Sequence, residues 1–403
     1  MQTRLTEPLR ATPAGQEAEA ILRSCVHCGF CTATCPTYLL LGDELDGPRG
    51  RIYLIKQALE GEPVSARTQL HLDRCLTCRA CETACPSGVR YGRLLDIGRE
   101  LVDERVPRRW PARWMRAALR GFLTGPLFAP AYRLGQWLRA LAPPLARVVM
   151  PRRSAGARPT ARHPRRVVLP AGCVQASMAP GIGAASARVL DRCGVSIDAH
   201  SDAGGCCGAI AQHLGDPDGA RAAARRNVDA WEPALAAGAE AIVSNASGCG
   251  VMLKQYGELL AGDPAYAARA RRIAAAVRDL GEFVAGERPL SLRPGAPRRL
   301  AVHAPCTLQH GQRLPGRVEE LLRTLGADVL PVRDPHLCCG SAGTYSLLQT
   351  GIARQLRARK LESLLAGKPD LIVSSNIGCI AHLGATAPVP VRHWVEWLDE
   401  CLA

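Results

Sequence analysis

Apolar residues recur along this chain at two different periods, and the change of period divides it. Helical spacing governs the first hundred residues. Leu94, Leu95, Ile97, Leu101 and Val102 give one apolar face to a helix after Cys85, and Pro48-Arg49-Gly50 opens another through Ile52, Leu54 and Ile55 to Gly61. The same spacing returns in Trp114, Ala118, Leu119 and Phe122 and, after Pro130, in Leu134, Trp137, Leu138 and Leu141. From residue 167 onward short unbroken apolar runs take over: Val167-Val168-Leu169, Ala241-Ile242-Val243, Leu300-Ala301-Val302 and Leu371-Ile372-Val373. Alanine-rich amphipathic stretches such as 221–235 and 352–365 separate them. Such alternation predicts buried strands of a parallel α/β layer structure.

The strand-rich part is duplicated. Val167 to Cys173 aligns with Leu300 to Cys306, Gly205-Cys206-Cys207-Gly208 with Leu337-Cys338-Cys339-Gly340, and Ala241 through Cys249 with Leu371 through Cys379. The offsets, 133, 132 and 130 residues, are too regular for coincidence. Each half reads as three strand-helix pairs. The predicted architecture is a multidomain α+β and α/β protein with a mostly helical domain at 1–105, a helical connector and linker at 106–166, and α/β repeats at 167–290 and 291–403 related by a pseudo-two-fold. Pro143, Pro151, Pro159 and Pro164 mark the linker as exposed.

Charge sharpens the picture at one place. The formal net charge is +15, and the stretch from Arg105 to Arg166 alone holds fifteen arginines and no Asp or Glu, so the rest of the chain is close to neutral. Trp110, Trp114 and Trp137 fall in that stretch. A basic amphipathic segment suits anionic lipid, a partner's acidic face or a solvated connector; nucleic acid is not expected. No run of eighteen uncharged apolar residues occurs, so no membrane span is expected. With 403 residues, 47% of them hydrophobic, there is material for two or three cores. Gly181-Ile182-Gly183 lacks the strand, third glycine and downstream acid of a dinucleotide site, and no Walker loop or catalytic triad is present.

Cysteine carries the chemistry. Cys25, Cys28, Cys31 and Cys35-Pro36 form the phrase C-x2-C-x2-C-x3-C-P, and Cys75, Cys78, Cys81 and Cys85-Pro86 repeat it. This is the bacterial ferredoxin pattern for two [4Fe-4S] clusters, in which the fourth cysteine of each phrase serves the other cluster. One cluster is therefore assigned to Cys25, Cys28, Cys31 and Cys85, and the other to Cys75, Cys78, Cys81 and Cys35. Zinc knuckles need only paired C-x-x-C and leave the doubled phrase unexplained. Eighteen cysteines behind a leader without an apolar core point to a reducing compartment, the cytoplasm, rather than a disulfide framework.

The duplicated half adds two quartets, Cys173, Cys206, Cys207 and Cys249, then Cys306, Cys338, Cys339 and Cys379. They follow strand ends, where loops of an α/β sheet converge. An iron–sulfur cluster, zinc and buried free thiols all remain open for them. The pattern resembles the CCG domain of heterodisulfide reductase, but Met252 and His382 stand where its last C-x-x-C cysteine would be. Cys193 and Cys401 lie outside the repeated phrases and read as core residues; His303 and His310 flank Cys306 without a resolved role.

Several intervening phrases are more specific. Cys25 to Pro36, Gly42-Asp43-Glu44, Pro48 to Tyr53, Leu72 to Cys78, Cys85 to Val89 with Tyr91-Gly92, Asn376 to Cys379 and His393 to Trp397 closely resemble the glycolate oxidase iron–sulfur subunit family over essentially the whole chain. The resemblance implies an electron-transfer subunit without a substrate site of its own. FAD would reside only on partner flavoprotein subunits that convert glycolate to glyoxylate, and D-lactate is a further substrate to consider. Electrons would pass to a quinone or other membrane acceptor from a position peripheral on the cytoplasmic face of the inner membrane. The alternatives are the iron–sulfur subunit of an anaerobic glycerol-3-phosphate dehydrogenase and a heterodisulfide-reductase-like disulfide reductase.

Overall fold

Thr12 and Pro13 start the first long helix. The Thr12 hydroxyl accepts the N–H of Gly15 at 3.0 Å, and Pro13 occupies a position whose own N–H would lack a helical partner. This helix, α1 (Pro13–Ser24), packs with α2 (Pro48–Leu59) and α3 (Tyr91–Arg105) through Ala18, Leu22, Ile52, Ile55, Leu59, Leu94, Leu95 and Val102. In α2 and α3 the apolar faces read from the sequence are turned inward, with Leu54 alone among the named residues half-buried. Cys25, Cys75 and Cys81 belong to the same core.

A computed structural model describes residues 1–142, 148–287, 290–293 and 299–402. They form two compact units, the first comprising Met1–Arg116 and His336–Lys360, the second Ala117–Pro335 and Leu361–Ala403. The segment bearing the second Cys-Cys-Gly is thus grouped with the helical unit; within that unit the Tyr345 hydroxyl donates to the Arg74 carbonyl at 3.0 Å. Two connector helices follow α3: α4 (Trp110–Thr124), within which the division between units falls, and α5 (Phe128–Leu138). Pro143, where the sequence begins its linker, lies outside the described residues. From residue 151 to 163 the linker has no regular structure, yet it lies along the second unit, where His163 Nε2 meets Asp191 at 2.8 Å.

The second unit contains the duplication as two parallel sheets. In the first, β1 (Arg165–Val167) pairs with β2 (Val195–Ile197), and β3 (Ile242–Ser244) pairs with β4 (Val277–Asp279). A bridge from Val168 to Ile242 joins the pairs, giving the order β2-β1-β3-β4. The second sheet, β5 (Arg299–His303), β6 (Asp328–Leu330), β7 (Leu371–Ser374) and β8 (Val391–His393), has the order β6-β5-β7-β8. The two halves therefore repeat in topology as well as in sequence.

Each half has a fourth strand that the hydrophobic pattern does not announce. Val277-Arg278-Asp279 and Val391-Arg392-His393 are only three residues long, too short to show alternation. Each ends on the cap of the next helix, α6 (Leu280–Ala285) or α7 (Trp394–Cys401). Asp279 with Glu282, and His393 with Glu396, form matching capping boxes.

Candidate metal centre

The two ferredoxin phrases fold as two copies of one loop. In the first, φ is +60° at His27 and +87° at Gly29; in the second it is +52° at Thr77 and +60° at Arg79. Left-handed backbone at three non-glycine positions costs roughly 1 kcal/mol or more each. It also curls each loop so that its cysteines point to a common centre.

Two hollows result. The first, about 440 Å³ and open to solvent, is lined by Cys25, Cys28, Cys31 and Cys85 together with Val26, Phe30 and Pro86. The second, about 290 Å³, is lined by Cys35, Cys75, Cys78 and Cys81 together with Arg51 and Tyr91. Cys81 and Tyr91 border both, so the hollows are neighbours. Burial, reinforced by Cys25, Cys28 and Cys85, pushes the Cys31 thiol up to about 11. Burial, reinforced by Cys78, Cys75 and Cys35, likewise raises the Cys81 thiol. Each fourth cysteine thus faces the three of the other phrase. A set of four convergent thiols is a donor set that suits iron in a thiolate-ligated cluster.

The hollows differ in surroundings. Cys28 is exposed and Cys31 and Cys85 are half-buried, whereas Cys35, Cys75, Cys78 and Cys81 are all buried. Behind the second hollow stands a buried ion network that sequence reading did not single out. Asp46 Oδ1 lies 3.4 Å from Arg51 Nη2 and 3.0 Å from His71 Nδ1, and its Oδ2 accepts from Arg74 at 2.7 Å. Arg51 also donates to the His71 carbonyl at 2.7 Å and to the Thr37 hydroxyl at 3.1 Å. Tyr91 donates its hydroxyl to Cys75 Sγ at 3.5 Å. The available signal was positional, since Asp46, Arg51 and His71 lie between the cysteine phrases and Tyr91 follows the second closely.

In the first repeat all four cysteines meet. The Cys206 thiol is held well below its ordinary range by hydrogen bonds from Cys173 and Cys207, and the Gly208 N–H adds a contact to its Sγ at 3.5 Å. Cys173 is raised by its bond to Cys206, and Cys207 by its bonds to Cys206 and Cys249. The sulfurs form one chain, Cys173 to Cys206 to Cys207 to Cys249. Met252 is packed into the core of this repeat. Gly208 has φ +94°, and a side chain there would press on the Ala220 carbonyl at 3.1 Å, which accounts for glycine after the cysteine pair.

The second repeat preserves the local geometry. Gly340 has φ +87°, and its N–H reaches Cys338 Sγ at 3.4 Å. Cys338 and Cys339 lie in the first unit; Cys306 and Cys379 lie in the second, after β5 and on the helix Ile377–Gly384. His303 Nδ1 is 2.9 Å from the Ser374 hydroxyl. Cys193 is buried, in keeping with a core role. Gly181 and Gly183 lie inside the helix Pro180–Arg192.

Comparison with known proteins agrees with this division of cysteines. Residues 21–89 match the 4Fe-4S dicluster domain, and residues 167–254 and 300–384 match the cysteine-rich domain. The chain is 52% identical over 405 residues to the glycolate oxidase iron-sulfur subunit of Escherichia coli, covering 100% of this chain and 99% of that protein. It belongs to the glycolate oxidase iron–sulfur subunit family. Family likeness extends at 28% identity over 399 residues to a probable glycolate oxidase iron-sulfur subunit of Bacillus subtilis, covering 91% of this chain and 89% of that protein. Lactate utilization protein A of Geobacillus thermodenitrificans is 30% identical over 228 residues, 54% of this chain and 92% of that protein. As a family member the chain is an iron–sulfur oxidoreductase component of the electron-transfer kind.

Proposed function

We propose that this chain is the electron-relay subunit of a glycolate-oxidising complex, taking electrons from a flavoprotein partner and delivering them to a membrane quinone. One cluster is held by Cys25, Cys28, Cys31 and Cys85, the other by Cys75, Cys78, Cys81 and Cys35. Bound clusters supply one-electron steps, which suits a partner whose flavin collects the two electrons that glycolate loses on becoming glyoxylate. The observation that carries this reading is the pair of adjacent four-thiol hollows sharing Cys81 and Tyr91. The chain's own residues hold the clusters and offset their negative charge through Arg51, which lines the inner hollow. Cys173, Cys206, Cys207 and Cys249 form a further four-sulfur site for an iron–sulfur centre or zinc. The likeness to a lactate utilization protein favours 2-hydroxy acids as the substrate class of the partner.

No helix among the described residues is long and apolar enough to cross a membrane, so delivery to a quinone calls for peripheral attachment at the inner face. The test is an anaerobic pull-down of the tagged native chain, with the eluate assayed for glycolate-dependent dye reduction and its subunits identified. Glycolate-dependent reduction with a bound flavoprotein supports the reading. A glycerol-3-phosphate-dependent eluate moves the chain to a different dehydrogenase, and disulfide reduction by the isolated chain replaces the relay with catalysis.

A further inference from the structure

The connector helices carry their amphipathic pattern inside out. On α4, Arg116 pairs with Asp73 at 3.0 Å with only 13% of its side chain exposed, and further along Arg120 pairs with Asp216 at 3.3 Å, each contact lying within its own unit. The opposite face of the same helix puts Trp110, Trp114, Met115 and Phe122 into solvent, with Trp110 78% and Trp114 70% exposed. Helix α5 does the same by itself. Phe128 is buried and Tyr132 half-buried, while Leu134, Trp137 and Leu138 face outward, Trp137 at 73%. Leu127 and Leu141 extend the apolar surface at either end.

Scattered apolar residues on a surface need no explanation. These are not scattered: ten of the seventeen large apolar side chains exposed among the described residues fall between Trp110 and Val148. Exposed Arg109, Arg113 and Arg133 lie among them, and no carboxylate occurs from Arg105 to Arg166. An apolar face with tryptophan, fringed by arginine and free of acidic groups, matches the boundary between headgroups and acyl chains of an anionic bilayer. Tryptophan is favoured at that depth because its ring is apolar and its N–H still finds water or headgroup oxygen.

We infer that α4 and α5 are membrane-docking elements of this protein, each lying along an anionic lipid surface, the first with Trp110 and Trp114 inserted and the second with Trp137. The inference deepens the peripheral attachment proposed above and rests on that reading only for the presence of a membrane; its test does not involve glycolate. An acidic protein face is the competing occupant. On each helix taken by itself the outward tryptophans and their apolar neighbours favour lipid, since a protein partner recognised by charge would need the arginines outermost.

The native chain supplies its own reporter. Trp231, Trp394 and Trp397 are fully buried, so a blue shift of emission on adding lipid, which needs an indole that starts in water, reports on Trp110, Trp114 and Trp137. The full chain, purified anaerobically with its clusters, is mixed with vesicles of phosphatidylcholine alone or with one part in four of phosphatidylglycerol. Flotation and a blue shift of emission are expected with the anionic vesicles, both weakening as salt rises. The double variant Trp114→Ala, Trp137→Ala should float on the order of ten-fold less well, with cluster absorption unchanged. Absence of both flotation and blue shift in the native chain overturns the inference. So does a double variant that floats like the native chain but loses its flavoprotein partner, which makes the face a protein interface.

Discussion

The hydroxyl of Tyr91 donates a hydrogen bond to the sulfur of Cys75 at 3.5 Å. Both residues are buried, and burial together with the neighbouring sulfur keeps the phenol protonated. A donor to a ligand sulfur stabilises the more negative, reduced state of a cluster and so raises its potential. If the bond is worth about 1 kcal/mol more in the reduced form, its loss lowers the potential by about 40 mV. Tyr91→Phe should therefore shift one of two [4Fe-4S] couples downward and leave the other in place, as read by an EPR-monitored redox titration. Two unmoved couples would remove Tyr91 from any tuning role.

Arg51 and Asp46 are, respectively, 1% and 0% exposed, and they tie the inner hollow to the core of its unit. Asp46→Asn keeps the shape but leaves Arg51 without its buried countercharge. Breaking such a pair costs about 3 kcal/mol or more. Thermal unfolding of the anaerobic protein should show a clearly lowered midpoint, whereas Arg49→Ala, whose partner Glu44 is well exposed, should shift it little.

The proposed ligand sets predict separable losses. Cys28→Ser should remove up to about four irons and one EPR signal, and Cys78→Ser a comparable amount and the other signal. Since Cys28 is the exposed thiol, the cluster it holds should also decay first in air. Quinone-linked turnover should fall in both variants, while dye reduction taken directly from a partner flavin should persist. Full iron content in either variant would contradict the assignment.

His393 gives a pH dependence of known sign. Burial, only partly opposed by its bond to the Asn245 carbonyl at 3.0 Å, holds its pKa down at about 3. The unfolded chain binds a proton near pH 6.5, the folded one only near 3, so the stability contributed above 6.5 is lost as pH falls through that window. Between pH 7.5 and 5.5 the loss is about 1.4 kcal/mol. Denaturant titrations of the native chain and His393→Asn should differ by that slope; parallel pH profiles would mean that His393 titrates alike in the folded and unfolded chain.

Much of the molecule is legible before any coordinates. The doubled C-x2-C-x2-C-x3-C-P phrase, the 130- to 133-residue duplication and the apolar faces of α2 and α3 follow from spacing alone, because ligand geometry and secondary-structure period are local properties. The strands β4 and β8 are not legible, since Val277-Arg278-Asp279 and Val391-Arg392-His393 hold one apolar residue each and exist as strands only through their neighbours' hydrogen bonds.

Other features belong to tertiary structure for the same reason. Nothing in the spacing of Asp46, Arg51, His71 and Arg74 says that they share one buried network; that depends on how the helices close behind the inner hollow. The meeting of Cys173, Cys206, Cys207 and Cys249 depends on three separate stretches of chain arriving at one end of a sheet. The sequence also marked 106–142 as amphipathic and basic, but amphipathicity fixes only which residues share a face. Which face turns outward is decided by the carboxylates that the arginines find: on α4 the pairing of Arg116 with Asp73 leaves Trp110 and Trp114 to the solvent.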